Sequence, residues 1–265
     1  MQLRFDLDSI ELAESYEKFS DSQFFHGKVL INMLKIKSSD FVLDIGCGTG
    51  RLTQYISELL RGGKIIGIDP LPYRIKIAKE KETKNLFFEV GGTLDLHRFQ
   101  ENSFDCILLN SVFHWIENKA EALEQIKRIL KPGGRVGIST GDKNYKTTIR
   151  ELVEQSVRKY VKNAFEFSFS PFLLSSEEIK SLINKSGLHI EQFRLFEYST
   201  FSHSPEALIT FLESSSFGNF LSQIPLEHKS QILADIKRDL EKLRTPKGIE
   251  RKHLCILVVA TKSER

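Results

Sequence analysis

The 265-residue sequence has no long hydrophobic run. Its longest apolar stretches, such as Cys255 to Ala260, fall far short of the roughly 20 residues needed to cross a bilayer, so no transmembrane helix and no membrane partner are expected. Cysteine is scarce as well. Cys47, Cys106 and Cys255 are an odd number, widely separated, and two of them lie inside apolar runs. This argues against a disulfide framework or a metal site and predicts buried, inactive thiols. There is no excess of one charge: 38 Lys and Arg stand against 35 Asp and Glu, a formal +3, and the basic residues are spread through the chain. Without a basic block there is no electrostatic footprint for nucleic acid, and no nucleic-acid partner is expected. The N-terminal residues are acidic and polar where a secretory signal needs a basic start and an apolar stretch, so the expected location is the cytoplasm. Internal repeats, low-complexity tracts and flexible linkers are also missing.

What remains is an ordinary globular composition, 40% hydrophobic and 28% charged, on a chain long enough for one large, elaborated domain. Between residues 41 and 139 short apolar runs alternate with longer mixed segments, the pattern of βαβ units and a parallel sheet. Strands are expected at 41–45, 64–69, 86–90, 104–109 and 135–139, with helices at 51–60, 72–82 and 119–130. In the last of these helices Ala122, Leu123, Ile126, Ile129 and Leu130 share one face, and Lys131-Pro132-Gly133-Gly134 stops it. Upstream, residues 9–34 read as two short helices broken near Ser20-Asp21-Ser22. Downstream come a helix at about 145–160 and a Phe-rich segment at 165–174. A helix follows that is capped by Ser175 or Ser176 and ends at Gly187. Beyond it lie a strand at about 188–199, a helical insertion over 204–244 and a final strand at 254–261.

The most informative segment is Asp44-Ile45-Gly46-Cys47-Gly48-Thr49-Gly50, which closes the first strand and opens the first core helix. In a doubly wound fold such a turn sits at the carboxyl edge of the sheet, where ligands bind. Glycine there lets the backbone take positive φ and approach a ligand closely. A dinucleotide fingerprint fails, because its third glycine position is Arg51, and the phosphate-loop pattern is absent. Asp69, at the end of the second strand, is placed to accept the hydroxyls of a ribose.

VLDIGCGTG at 42–50, IGIDP at 66–70, NSVFHWI at 110–116 and LKPGGRVGIS at 130–139 together resemble the class I S-adenosylmethionine-dependent methyltransferases. Within them the chain resembles the small-molecule branch containing trans-aconitate, juvenile-hormone-acid and malonyl-carrier methyltransferases. The resemblance is specific over 41–139, looser over 9–40, and one of layout beyond 140. It implies a Rossmann-like, doubly wound α/β fold with a seven-stranded, mostly parallel sheet. It also implies a single domain over 1–265: a helical cap at 9–34, a donor-binding core at 41–139, an acceptor-side lid at 140–253 and a last strand at 254–261. The implied cofactor is S-adenosyl-L-methionine. Gly46 and Gly48 would lie beneath its methionine part, supported by Asp44, and Asp69 would clamp the ribose. Asn110 would touch the methionine part from the fourth strand. The family usually reads Gly-Asp-Ala after the third strand, whereas this chain reads Gly91-Gly92-Thr93-Leu94-Asp95, so the adenine carboxylate is missing at Gly92. Thr93, through its backbone N–H, and Asp95 are the candidate substitutes.

Methyl transfer from a sulfonium is an in-line displacement that needs alignment and exclusion of water, with neither metal nor covalent intermediate. By the same resemblance Ser111, Phe113, His114 and Trp115 lie over the acceptor, and His114 and Trp115 are the candidate catalytic residues. His114 is either a general base or a packed, orienting group. Trp115 is either a pocket wall whose indole N–H binds a carboxylate, or core. Tyr16, Phe19, Phe24, Phe25 and His26 resemble a segment that closes over the donor, or simply pack on the sheet. The expected acceptor is a small molecule bearing a carboxylate. Alternatives are arsenite or another small acceptor, or a non-catalytic donor-binding regulatory subunit.

Overall fold

The computed structural model describes residues 3–161 and 170–264. In chain order these form α1 (Ile10–Phe19), α2 (Asp21–Leu34), β1 (Phe41–Ile45), α3 (Arg51–Leu59), β2 (Lys64–Asp69), α4 (Pro72–Lys79), β3 (Leu86–Val90), β4 (Phe104–Asn110) and α5 (Lys119–Ile129). There follow β5 (Leu130–Gly141), α6 (Thr148–Arg158), α7 (Ser176–Lys185), β6 (Leu188–Ser202), α8 (Pro205–Ser215), α9 (Lys229–Glu241), β7 (Arg244–Thr245) and β8 (Gly248–Lys262). Among the described residues no helix is long and apolar enough to cross a membrane.

The chain folds into two compact units. The larger takes 21–143, 172–196 and 255–265; the smaller takes 1–20, 144–171 and 197–254. The larger carries the sheet, in the order β3-β2-β1-β4-β5-β8-β6. β1, β2, β3, β4 and β5 pair in parallel, and β8 runs antiparallel to β5, with Gly141 opposite Cys255 and Arg135 opposite Thr261. The parallel strands put their carboxyl ends at one edge, where Ile45, Asp69, Val90 and Asn110 all terminate. Beneath that edge Leu43, Ile68, Ile107, Leu109, Ile126, Val136 and Ile138 form the core, each 0% exposed. Burying a side chain of this kind is worth roughly 1.5–3 kcal/mol.

Helix α5 is capped by Asn118, whose side chain accepts the Glu121 N–H, and it ends where β5 begins. Residues 131–134 were expected as a plain stop. They instead form a bulge inside β5, because pairing with β4 jumps from Phe104–Leu130 to Cys106–Arg135, and Gly133 at φ +71° provides the bend. Other expected bounds also move, α4 ending at Lys79 rather than 82. α6 starts later than 145 because Thr147 caps it; β6 runs on to Ser202; β8 starts at Gly248, six residues before the expected 254. The early start of β8 follows from an unforeseen two-residue strand, β7, which pairs with it through Thr245 and Gly248 and is additional to the seven strands of the main path.

The smaller unit contains α1, α6, α8, α9 and β7, so the two N-terminal helices divide between the units. Its core joins Val153 and Val157 of α6, Leu208 of α8, and Ile232, Ile236 and Leu240 of α9, with Phe220 and Ile249. The insertion is helical as expected, with Ser204 capping α8 through the Ala207 N–H. Of the Phe-rich segment 165–174, residues 165–169 lie outside those described.

Candidate functional site at the carboxyl edge

The glycine loop is held to β2 by its own backbone. Gly46 and Cys47 both donate to the Ile68 carbonyl, at 2.7 and 3.0 Å. Gly48 N–H donates to Asp69 Oδ2 and Leu71 N–H to Asp69 Oδ1, each at 2.9 Å, so one carboxylate spans the turns after two strands. The glycines are required: Gly46 has φ +74°, and a Cβ there would lie 2.2 Å from Val112 Cγ2. At Gly50, φ +83°, a Cβ would meet Phe88 Cζ at 2.6 Å.

Asp44 lies one residue before the end of β1, buried, and accepts a 2.7 Å hydrogen bond from Thr53 Oγ1 on the inner face of α3. Burial pushes its carboxyl up to about 7; the Thr53 bond opposes this and the Asp69 charge adds to it. Asp69 is raised too, by burial, against the pull of Arg74 and its two backbone donors. The Cys47 thiol is also pushed up, first by burial and then by these two carboxylates.

Thr93 opens a short 3-10 turn, Thr93–Arg98, after β3. Asp95 is turned back onto this turn: its Oδ2 accepts the Gly92 N–H at 2.8 Å, while its own N–H donates to Gly92 O at 3.1 Å. One carboxylate oxygen is therefore committed to backbone. Val90, which pairs with Asp69, and Leu94 are 52% and 78% exposed, leaving apolar surface beside the Asp69 turn.

Asn110, at the end of β4, is fixed from both sides: its Oδ1 accepts from Ser139 Oγ at 2.8 Å, and its Nδ2 donates to Gln23 O of α2 at 3.0 Å. Ser111 follows with φ +60°, a left-handed conformation uncommon for serine. Ser139 holds it there, receiving the Ser111 N–H on both its carbonyl (3.1 Å) and its hydroxyl (2.9 Å). The Ser111 hydroxyl lies 2.8 Å from Nε2 of the buried His26, and burial takes that imidazole down to about 4.

A 3-10 turn over Phe113–Trp115 comes next. Phe113 was expected over the acceptor, but its three-residue period with Ile116 turns it into the core, where it is 1% exposed. His114 and Trp115 point elsewhere, their rings 5.3 Å apart and tilted by 54°. His114 Nδ1 sits 3.1 Å from Thr140 Oγ1 of β5. Desolvation first, then the charges of Lys119 and His26, lower its pKa to about 3. Lys119 is itself buried, with Nζ 2.5 Å from Ile116 O and 5.5 and 5.4 Å from the centres of the Phe113 and Phe172 rings. Burial lowers it to about 8.

Thus Asp44, Gly46, Gly48, Asp69, Thr93, Asn110, His114 and Trp115 all lie at or just beyond the carboxyl ends of β1 to β4. The sequence reading did not find Thr53, Ser139, Thr140 and Lys119. Thr53 carries a signal, a β-branched hydroxyl on the inward stripe of an amphipathic helix three residues after the glycine loop. Ser139 and Thr140 are legible only once β5 is paired with β4. Among the described residues no three His, Cys, Asp or Glu side chains group as metal ligands would.

Residues 43–138 match the family described as a methyltransferase domain. Protein 235L of Invertebrate iridescent virus 6, described only as a methyltransferase, is 29% identical over 236 residues, 85% of this chain and 83% of that one. Trans-aconitate 2-methyltransferase of Rhodopseudomonas palustris is 22% identical over 231 residues, 84% of this chain and 86% of its own. Among solved structures, the YcgJ protein of Bacillus subtilis superposes with TM-score 0.60 at 18% identity, covering 91% of this chain and 100% of that chain; at this identity the likeness speaks for the fold alone.

Proposed function

We propose that this chain, an S-adenosylmethionine-dependent methyltransferase, methylates a small molecule, and does so on a carboxylate oxygen. The observation that carries this reading is the setting of His114, whose Nδ1 lies 3.1 Å from Thr140 Oγ1 and whose ring feels the charge of Lys119. A pKa of about 3 leaves its imidazole neutral and a very weak base at physiological pH. A phenol or an amine acceptor would need a proton removed, whereas a carboxylate is already ionised and needs none. The relative from Rhodopseudomonas palustris, whose printed name is that of a methyltransferase acting on trans-aconitate, supports the same acceptor class.

The residues at the carboxyl edge fit the donor. The loop from Gly46 to Gly50 leaves no room for a Cβ at either end, and Asp69 keeps lone pairs beyond the two that its backbone donors use, since a carboxylate offers about four. Val90 and Leu94 offer an apolar face for a purine, and Thr93 a backbone N–H for its edge. S-adenosylmethionine supplies the electrophilic methyl group on its sulfonium. In this reading Gly46, Gly48 and Asn110 hold its methionine part, Asp69 its ribose and Thr93 its adenine, while Asp44 supports the loop through Thr53. Neutral His114, its Nδ1 on Thr140, and the Trp115 indole N–H orient the acceptor's carboxylate and help to keep water away. Arsenite is disfavoured as an acceptor, because Cys106 is buried with its thiol at about 12 and lies mid-strand, away from Cys47 in the loop.

The test is to supply purified protein with methyl-labelled S-adenosylmethionine and a cell extract separated into small-molecule, RNA and protein fractions. Label in the small-molecule fraction that is released by mild base, as a methyl ester releases it, is the expected result. Base-stable label would reject the carboxylate, and label in RNA or protein would reject the small molecule.

A further inference from the structure

Arg251, near the start of β8 in the smaller unit, has a guanidinium nitrogen, Nε, that the fold does not satisfy. Its Nε is fully buried with no hydrogen-bond partner, and no Asp or Glu among the described residues pairs with it. Its Cζ stacks 4.1 Å from the centre of the Phe211 ring on α8. The one titratable neighbour acting on it is Tyr198 of β6, and burial lowers the guanidinium to about 10. Two other sheltered arginines have carboxylate partners: Arg135 pairs with Asp40 at 2.8 Å, and Arg150 with Glu154 at 2.9 Å. The surroundings of Arg251 are ordered too. Two residues along the same face of β8, His253 stacks on Tyr198, 4.6 Å between ring centres and 7° between planes, and its Nε2 lies 2.8 Å from Thr200 Oγ1. Arginine presents five N–H donors in a rigid fork, and a buried donor such as this Nε left without a partner is unfavourable. An anion removes that cost. One guanidinium matches one negative charge, and the Phe211 ring against it matches an apolar or flat body.

We propose that Arg251 is an anion receptor in the smaller unit, where its guanidinium, backed by Phe211 beside Tyr198, takes the carboxylate of a small monocarboxylic acid. This stands whether or not a carboxylate is the methyl acceptor.

The test is calorimetric titration of the full-length protein with benzoate, comparing wild type with R251M and R251K, with S-adenosylhomocysteine binding as a check on the fold of each variant. Wild type should bind benzoate saturably. R251M should bind it at least about tenfold more weakly, and R251K, which keeps the charge but loses the fork, should fall between. Without benzoate, R251M should melt at or above the wild-type temperature, because the apolar side chain removes an unpaired charge. If R251M no longer binds S-adenosylhomocysteine, R251K carries the comparison. Equal benzoate binding by wild type and variant, or no saturable binding by wild type, would overturn the proposal. So would an R251M melting temperature lowered by more than about 3 °C, the mark of a structural arginine. Inorganic phosphate displacing benzoate at equal concentration would overturn the monocarboxylate assignment.

Discussion

The hydroxyl of Thr53 donates to Asp44 at 2.7 Å, and both groups are buried. This bond ties the end of β1 to the first turns of α3, the two elements between which the glycine loop is strung. It also sets the protonation of the carboxyl, because it favours the ionised form against the burial that raises the group to about 7. Thr53→Val keeps the shape and removes the donor. The variant should lose about 1–3 kcal/mol of stability in urea titrations, and more at pH 8 than at pH 6, since the unpaired carboxylate is charged at the higher pH. An equal loss at both pH values would mean that the bond acts on shape alone.

Asp69 joins two turns with one carboxylate, through Gly48 and Leu71. Asp69→Asn leaves a carbonyl for one of these N–H groups and sets an NH2 against the other, so the loop shifts as the ribose acceptor is lost. Affinity for S-adenosylhomocysteine, measured by calorimetry, should fall at least about tenfold. Asp95 makes a useful contrast. Its Oδ2 is committed to Gly92 N–H, so Asp95→Ala should loosen the Thr93 turn and weaken donor binding less than the Asp69 change does. A loss as large as that at Asp69 would restore Asp95 as the adenine carboxylate.

The first three strands have the bounds that the sequence predicts, because each is a short apolar run closed by a charged residue or glycine, and the glycine loop and Asp69 fall at their ends. Such features are local. What the sequence hides is long-range pairing. His26 meets Ser111 across 85 positions and Ser139 meets Asn110 across 29, and nothing near any of these residues marks the partner. Phe113 and His114 are neighbours in one motif, yet a single 3-10 turn sends the first into the core and leaves the second at the edge. The departure from Gly-Asp-Ala at Gly92 was visible in the sequence, but the use that the fold makes of Asp95 was not.

Two histidines held neutral by desolvation make stability depend on acid. His26 falls to about 4 and His114 to about 3 in the folded chain, against about 6.5 when unfolded. In that interval the unfolded chain binds more protons, so their contribution is complete above about pH 6.5 and is lost as pH falls through 4 and then 3. Asp44 has the opposite sign. Its folded value of about 7 lies above the unfolded 3.9 or so, so its contribution is lost as pH rises from about 4 to 7. His26→Gln, which cannot titrate, should therefore flatten the acid side of a melting-temperature profile between pH 6.5 and 4 and leave the neutral side unchanged. A profile with the wild-type slope would show that His26 is not buried neutral.

The role of His114 can be separated by kinetics once a carboxylic acceptor is in hand. A base with a pKa near 6.5 would give kcat/KM an inflection in the neutral range, and His114→Ala would lower kcat by about 100-fold or more, the ordinary scale of general base catalysis. An imidazole already neutral down to about 3, its Nδ1 beside Thr140, adds no inflection of its own between pH 6 and 9, so any inflection there from Lys119 or Asp44 persists in His114→Ala. Its loss removes a contact made equally to acceptor and transition state, so KM should rise several-fold while kcat changes little. His114→Asn, which keeps a polar planar group, should recover part of the lost affinity, and Trp115→Phe, which removes the indole N–H, should raise KM in the same way. If His114→Ala instead abolishes turnover at saturating acceptor, and an inflection near neutrality disappears with it, the imidazole is the base and the acceptor carries a proton that must leave.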